Sequence, residues 1–109
     1  MTTLATGTIS GHEARGAVEL VRADDGTVTV EIEDLWVAPG APDVRLYLSP
    51  RADGHMAETA VDLGRVPDHE TGLSRRVPAE LDPDRIRSII VFCTAFSVYF
   101  GTADLRPPS

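Results

Sequence analysis

The chain has 109 residues, and its 17 Asp and Glu against 10 Lys and Arg give a formal charge of −7. This length is enough to bury a core without a metal or disulfide, so we expect a single domain over residues 1–109. The acidic balance argues against a nucleic-acid-binding surface, which needs clustered basic side chains, and against docking on an anionic membrane.

The sequence contains no candidate membrane or secretory segment. No stretch approaches the roughly 20 apolar residues that a spanning helix needs. The first 16 residues lack the basic start and apolar run of a secretory signal. We therefore expect a soluble protein with no membrane insertion, cytoplasmic as the chain stands. Its oligomeric state stays open.

Apolar residues alternate with polar ones through the first half of the chain. Two such runs, 17–20 and 28–32, flank the Asp25-Gly26 pair, which is a strong hairpin signal. Residues 44–48 alternate in the same way and predict a half-buried strand. Residues 59–63 and 73–77 predict two shorter strands on either side of a turn-rich segment.

The second half of the chain predicts one helical turn and a central strand. Asp82 and Pro83 are suited to the cap and the first position of a short helix. Residues 88–93 are apolar on both faces, as in a strand covered on both sides. About eight short strands, roughly ten residues apart, predict an all-β fold, either an antiparallel sandwich or a small barrel.

Four of the six aromatic residues, Phe92, Phe96, Tyr99 and Phe100, lie close together and bracket the single cysteine, Cys93. If residues 96–101 are extended, Phe96 and Phe100 share one face of a strand. We therefore expect the core to be thickest here, and we look for function in the same segment.

Cys93 is the first candidate for chemistry. A thiol is nucleophilic, redox-active or metal-ligating only as the thiolate, which needs nearby positive charge, a helix N-terminus or a metal. There is no second cysteine with which it could form an internal disulfide. The alternative is that Cys93 is a small buried apolar residue at the end of a core strand.

The other polar residues give no specific catalytic or metal-binding pattern. His12, His55 and His69 lie in turn-like sequence without the spacing of paired metal ligands, so we predict no metal site. The acidic groups do not match a calcium loop. Neither Ser88 nor Ser97 lies in a Gly-x-Ser-x-Gly motif, which argues against hydrolysis.

The sequence CTAFSVYFG at residues 93–101, followed by TADL at 102–105, resembles the signature of the electron-transfer DM-thirteen domain. Earlier pieces follow in the order of that family: GTI at 7–9, His12, GAV at 16–18, APDVRLYL at 41–48, VDLG at 61–64, Gly72, Val77-Pro78 and Ser88. The resemblance covers about residues 5–105. The chain departs from it with Phe92 in place of the usual Trp, with Arg75 in place of a frequent Tyr, and with Ala41 in place of a Gly.

The resemblance implies an all-β domain, often extracellular or on the cell surface, with a role in electron transfer. That role would centre on Cys93, either as a bare thiol or as a ligand to a group such as haem. No cofactor is otherwise required, and the redox partner is unknown. The supporting residues would be Phe92, Phe96 and Phe100, which exclude water, Ser97, which stabilises the thiolate, and Gly101 of the same motif.

Two hypotheses follow. In the first, the domain is a redox module, and a lone cysteine is oxidised to sulfenic acid, pairs with a partner thiol or acts through a cofactor. In the second, the domain is a non-catalytic interaction module with Cys93 in its core. Loops 38–43, 50–58 and 64–72 would then contact a partner, with Arg51, His55 and Met56 as candidate contacts.

Overall fold

The computed structural model describes residues 1–52, 56–66 and 72–107. These residues form eight strands and one 3-10 turn. In chain order the elements are β1 Thr2–Ile9, β2 Ala14–Arg22, β3 Val28–Val37, β4 Val44–Ser49, β5 Val61–Arg65, β6 Gly72–Arg76, the turn Pro83–Arg85, β7 Ser88–Cys93 and β8 Val98–Asp104. The all-β prediction is confirmed.

The strands form two four-stranded antiparallel sheets, with the orders β1-β2-β3-β6 and β5-β4-β7-β8. Two isolated bridges link the sheets along one side. Thr6 of β1 pairs with Arg106, just beyond β8, and Ser10, just after β1, pairs with Thr102 of β8. The two sheets do not close into a barrel, so the sandwich is the correct one of the two predicted architectures.

The core lies between the sheets, and the burial of side chains along the strands alternates with the predicted period of two. Inward positions are buried and their neighbours are not, as in β3, where Val30 and Ile32 are buried and Glu33 is exposed. Strand β7 lies between β4 and β8, and every one of its residues except Phe92 is buried. The prediction of a central strand over 88–93 is therefore confirmed.

The predicted turns also form. Gly26 has φ of 90°, a conformation that glycine adopts without steric cost, and its amide donates to the carbonyl of Ala23 at 2.9 Å. The side chain of Asp82 accepts a hydrogen bond from the amide of Asp84 at 3.0 Å and so caps the 3-10 turn.

In the described part of the chain, no helix is long and apolar enough to span a membrane.

The bounds of two short strands differ from the prediction by one or two residues. Strand β5 covers Val61–Arg65 instead of 59–63, and β6 covers Gly72–Arg76 instead of 73–77. Part of the loop predicted over 64–72 is therefore strand at both of its ends. Of the rest of that loop, Val66 is buried, and residues 67–71 lie outside the described residues.

The aromatic segment does not thicken the core as expected. Residues 94–97 form a turn, β8 begins only at Val98, and the β7–β8 register shifts between Val91 and Phe92. Phe96 is 64% exposed, whereas Phe100 is 7% exposed. The expectation of one shared face was wrong because a tight turn and a bulge interrupt the alternation of side chains.

Candidate functional site

The candidate site is built around Cys93 at the end of β7. In the sheet, Cys93 pairs with Val44 on one side and with Val98 on the other. Its side chain points into the sandwich, belongs to the main apolar cluster and is 0% exposed. Any reaction of this sulfur therefore requires that the atoms covering it move.

The atom in contact with the sulfur belongs to the loop before β4. The Cys93 thiol donates a hydrogen bond to the backbone carbonyl of Pro42, with 3.2 Å between Sγ and the oxygen. Pro42 is itself exposed. We call residues 42–43 the covering segment, because the carbonyl of the exposed Pro42 contacts the buried sulfur and Asp43 follows it directly. The bond requires the thiol proton, since a thiolate has no proton to donate.

The residue after Cys93 binds the same segment. The amide of Thr94 donates to the carbonyl of Asp43 at 3.1 Å, and its hydroxyl donates to the Asp43 carboxylate. Two consecutive residues of the β7 end thus hold the covering segment in place. Asp43 itself has φ of 53°, a left-handed conformation that is uncommon outside glycine and most accessible to Asp and Asn.

Two arginines lie near the Asp43 carboxylate, in addition to Thr94. Arg45 Nε lies 2.8 Å from the Asp43 carboxylate, and a second nitrogen of the same guanidinium lies 2.9 Å from Asp62. Arg65 lies farther from Asp43, at 3.7 Å. The hydrogen bond from Thr94, followed by that from Arg45, lowers the pKa of Asp43. The carboxylate is therefore charged at neutral pH, and its bonds are charge-assisted.

Three aromatic rings lie on the outer face of the same sheet. Phe92 meets Tyr99 edge to face at 5.2 Å between ring centroids, and it meets Tyr47 at 6.1 Å. The amide of Met56 donates to the Tyr99 hydroxyl at 2.7 Å. Burial, and after it the charge of Asp62, raises the pKa of Tyr47. Phe92 thus lies on the face of β7 opposite Cys93 and does not shield the thiol.

Phe100 and Gly101 lie at the contact between the two sheets. Phe100 is buried, and its carbonyl accepts a hydrogen bond from Glu13 at 3.4 Å. A Cβ atom on Gly101 would lie 2.8 Å from Ile9 Cγ2 and 2.9 Å from the Ala14 carbonyl. These distances are too short for a side chain, so this position requires glycine.

Ser97 and Phe96 lie away from the thiol. Both are exposed in the turn after β7, and Ser97 has φ of 53°. The hydrogen-bond partner of the Cys93 sulfur is the Pro42 carbonyl and not Ser97. The predicted roles of Ser97 in stabilising a thiolate and of Phe96 in excluding water therefore have no counterpart in this geometry.

A comparison with protein families decides the classification. The family model described as Electron transfer DM13 matches residues 8–105, nearly the whole chain. The chain belongs to this family. Searches of curated proteins and of solved structures each found no match.

Membership gives the DM13 domain a general association with electron transfer. The contact at Cys93 also joins two of the segments in which the chain resembles the family. Residues 41–48 and 93–101, two of the sequence blocks that carry the resemblance, meet where the covering segment binds Cys93 and Thr94. The antiparallel β4–β7 pairing brings them together.

The surroundings of the thiol do not fit haem in this DM13 domain. If Cys93 held a haem group, as the resemblance implies, its sulfur would have to reach the iron. That sulfur is 0% exposed between two packed sheets and lies 3.2 Å from Pro42, which leaves no room for a porphyrin. We derive no step through haem.

Among the described residues, no group of three His, Cys, Asp or Glu side chains is arranged to hold a metal ion.

Asp43 and Arg45 are the site residues that sequence reasoning missed. Asp43 appeared only as part of a strand motif, and Arg45 only as the polar position of an alternating strand. The signal that could have found them is the Pro42-Asp43 pair immediately before β4, with a basic residue, Arg45, at the second position of that strand. The pairing of β4 with β7, which local sequence does not specify, is what places them beside Cys93.

Proposed function

We propose that this DM13 domain transfers electrons by thiol–disulfide exchange between Cys93 and a disulfide of a partner protein. The observation that carries the proposal is that the buried sulfur directly contacts an exposed residue, Pro42. The covering segment is held by hydrogen bonds and ion pairs to Asp43. Its displacement would therefore expose the sulfur without unfolding of the sheets.

The exchange balances without a further oxidant or reductant. Once the covering segment has moved, Cys93 loses its proton to water and attacks one sulfur of the partner disulfide. A new disulfide forms between Cys93 and the partner. The old bond breaks, and the second partner sulfur leaves with the electron pair as a thiolate. Cys93 is thus oxidised, and the departing sulfur is reduced.

The role of the covering segment is tested with an aromatic disulfide that releases a coloured nitrothiolate. We expect wild-type protein to release one equivalent slowly. Asp43→Asn should react roughly 5- to 30-fold faster, because the lost charge-assisted bonds favour the open form. Asp62→Asn is the matched control, since it makes the same charge change on the same arginine but leaves Asp43 in place.

The Asp62→Asn control should react with the aromatic disulfide at a rate near that of wild type. Equal rates for Asp43→Asn and wild type would contradict the proposal, because opening would then not depend on the covering segment. All variants should keep the same circular dichroism spectrum. A variant with an altered spectrum would be replaced by Thr94→Val, which removes the hydroxyl bond to the same carboxylate.

One observation favours the second candidate function, an interaction module. Cys93 is 0% exposed and part of the main core cluster, as a purely structural cysteine would be. Of the candidate contacts, Arg51 and Met56 lie beside β7 and β8, where the Arg51 carbonyl accepts from Ser88 at 2.7 Å. His55 lies outside the described residues.

The two functions make opposite predictions for Cys93→Ala. An interaction module would lose about 1–2 kcal/mol of folding free energy and still bind its partner. An exchange module would lose the covalent step completely. A pull-down under non-reducing conditions, repeated with reductant, distinguishes a disulfide-linked partner from a non-covalent one.

A further inference from the structure

We propose that a cleft at the end of the sandwich opposite Cys93 binds small organic carboxylates between Arg22 and Arg76. The cleft has a volume of about 350 Å³, within the usual range for small-ligand sites. It lies between the turn over 23–27, which joins β2 to β3, and the segment over 77–83 that follows β6. The proposal does not depend on the redox role of Cys93.

The strand pairings place this cleft far from the thiol. Cys93 and Ser88 are the two ends of β7, and Ser88 pairs with Asp104 at the end of β8. Two residues beyond Asp104, the chain bridges to β1, whose first residue, Thr2, pairs with Arg22. Arg22 therefore lies at the Ser88 end of the molecule.

Two arginines flank the cleft from neighbouring strands. Arg22 ends β2 opposite Val28, and Arg76 ends β6 opposite Thr29, so both lie beside the start of β3. Both are exposed. Within residues 1–52, 56–66 and 72–107, neither guanidinium has a hydrogen bond or an ion pair. Their donors are thus free for an anion in a protein whose overall charge is −7.

Three carboxylates near the cleft, those of Asp24, Asp25 and Asp82, already have partners. Hydrogen bonds from Thr27, and to a smaller extent the charge of Arg76, lower the pKa of Asp25. Asp25 therefore stays charged, and it competes with a ligand for Arg76 more than for Arg22. The pairs are Asp24 with the amino group of Met1 at 2.9 Å, Asp25 with the amide of Thr27 at 2.9 Å, and Asp82 with the amide of Asp84 at 3.0 Å.

The walls of the cleft between the two arginines are partly apolar and partly polar. The apolar part is formed by Val28, Val77, Pro78, Ala79, Leu81 and Pro83, and the rest by Asp25, Gly26 and Thr27. A guanidinium binds a carboxylate through two parallel hydrogen bonds, and apolar walls favour a ligand with an apolar body. A carboxylate on a small aromatic or aliphatic group combines both features, whereas a bare anion has no contact with the walls.

The test is a titration of ¹⁵N-labelled protein followed by amide chemical shifts, with benzoate, benzamide and acetate as probes at constant ionic strength. We expect benzoate to shift the amides of Arg22, Thr27, Val28, Arg76 and Val77, which surround the cleft. Benzamide, which lacks the charge, and acetate, which lacks the ring, should each shift them less. Arg22→Gln and Arg76→Gln should each weaken benzoate binding roughly threefold, and the double variant should weaken it roughly tenfold.

The matched control is Arg15→Gln, which removes one exposed positive charge near the other end of β2. Arg15 lies over the Trp36 ring at 4.6 Å and takes no part in the cleft. Its loss should leave benzoate binding unchanged. Equal shifts with benzamide and benzoate would overturn the proposal. Benzoate affinity that is unchanged in the double variant, or that weakens equally in Arg15→Gln, would overturn it as well.

Discussion

At the scale of single residues, Asp43 joins two parts of the site. Its backbone and carboxylate bind Thr94, next to the thiol, and its carboxylate binds Arg45, on the strand that follows it. The left-handed conformation of Asp43 turns the chain so that the Pro42 carbonyl faces the Cys93 sulfur. One acidic residue thus links the end of β7, beside the sulfur, to the start of β4.

The lowered pKa of Asp43 predicts a pH dependence. The pKa of Asp43 in the folded protein lies below its ordinary value of 3.8. The charged carboxylate therefore stabilises the fold fully at a pH above 3.8. This stabilisation is lost as the pH falls through the pKa of the folded state. Wild type should therefore have a higher urea midpoint than Asp43→Asn at neutral pH. The difference should shrink below about pH 4. An equal difference at both pH values would show that the charge of Asp43 is not responsible.

At the scale of secondary structure, the β7–β8 hairpin combines a regular strand with an irregular one. Strand β7 follows its sequence pattern closely. In β8, the bulge leaves Phe100 buried and directs Tyr99 to the outer face, beside Phe92. Gly101 then lies against β1 and β2, where a side chain would collide with Ile9 and Ala14. The glycine of the family motif therefore serves the packing of the two sheets.

This packing predicts the effect of a single methyl group. Gly101→Ala should lower the free energy of unfolding by about 1–3 kcal/mol, since the neighbouring backbone cannot move away. Gly72→Ala is the control, because its Cβ would meet only the Ile32 carbonyl at 3.8 Å, an ordinary contact. Urea denaturation of both variants measures the difference. Equal stabilities would mean that the sheets can separate at no cost and that Gly101 is not a packing requirement.

The strands could be predicted from sequence where one periodic signal dominates. Alternation identified β2, β3 and β4, and Asp82-Pro83 identified the 3-10 turn, because burial and capping depend on local residue types. The same alternation failed at residues 96–101. There the bulge depends on pairing with β7, and that pairing is not encoded in the segment itself.

At the scale of the whole molecule, the sandwich has two different ends. One end carries Cys93 under the covering segment, and the other carries the cleft between Arg22 and Arg76. The sequence indicated Cys93 as the candidate centre. It could not indicate that Pro42 and Asp43 cover it, since 51 residues separate Pro42 from Cys93 and only the order of strands in the sheet joins them.

The central claim is that Cys93 becomes reactive by a local opening and not by global unfolding. The most direct test is the rate of Cys93 modification by the aromatic disulfide, measured against urea concentration below the unfolding transition. We predict a slope close to zero, because displacement of two residues exposes little surface. Global unfolding of small proteins has a slope of about 1–3 kcal/mol/M. A labelling slope equal to that of global unfolding, measured on the same protein, would contradict the claim and leave Cys93 with a purely structural role in the core.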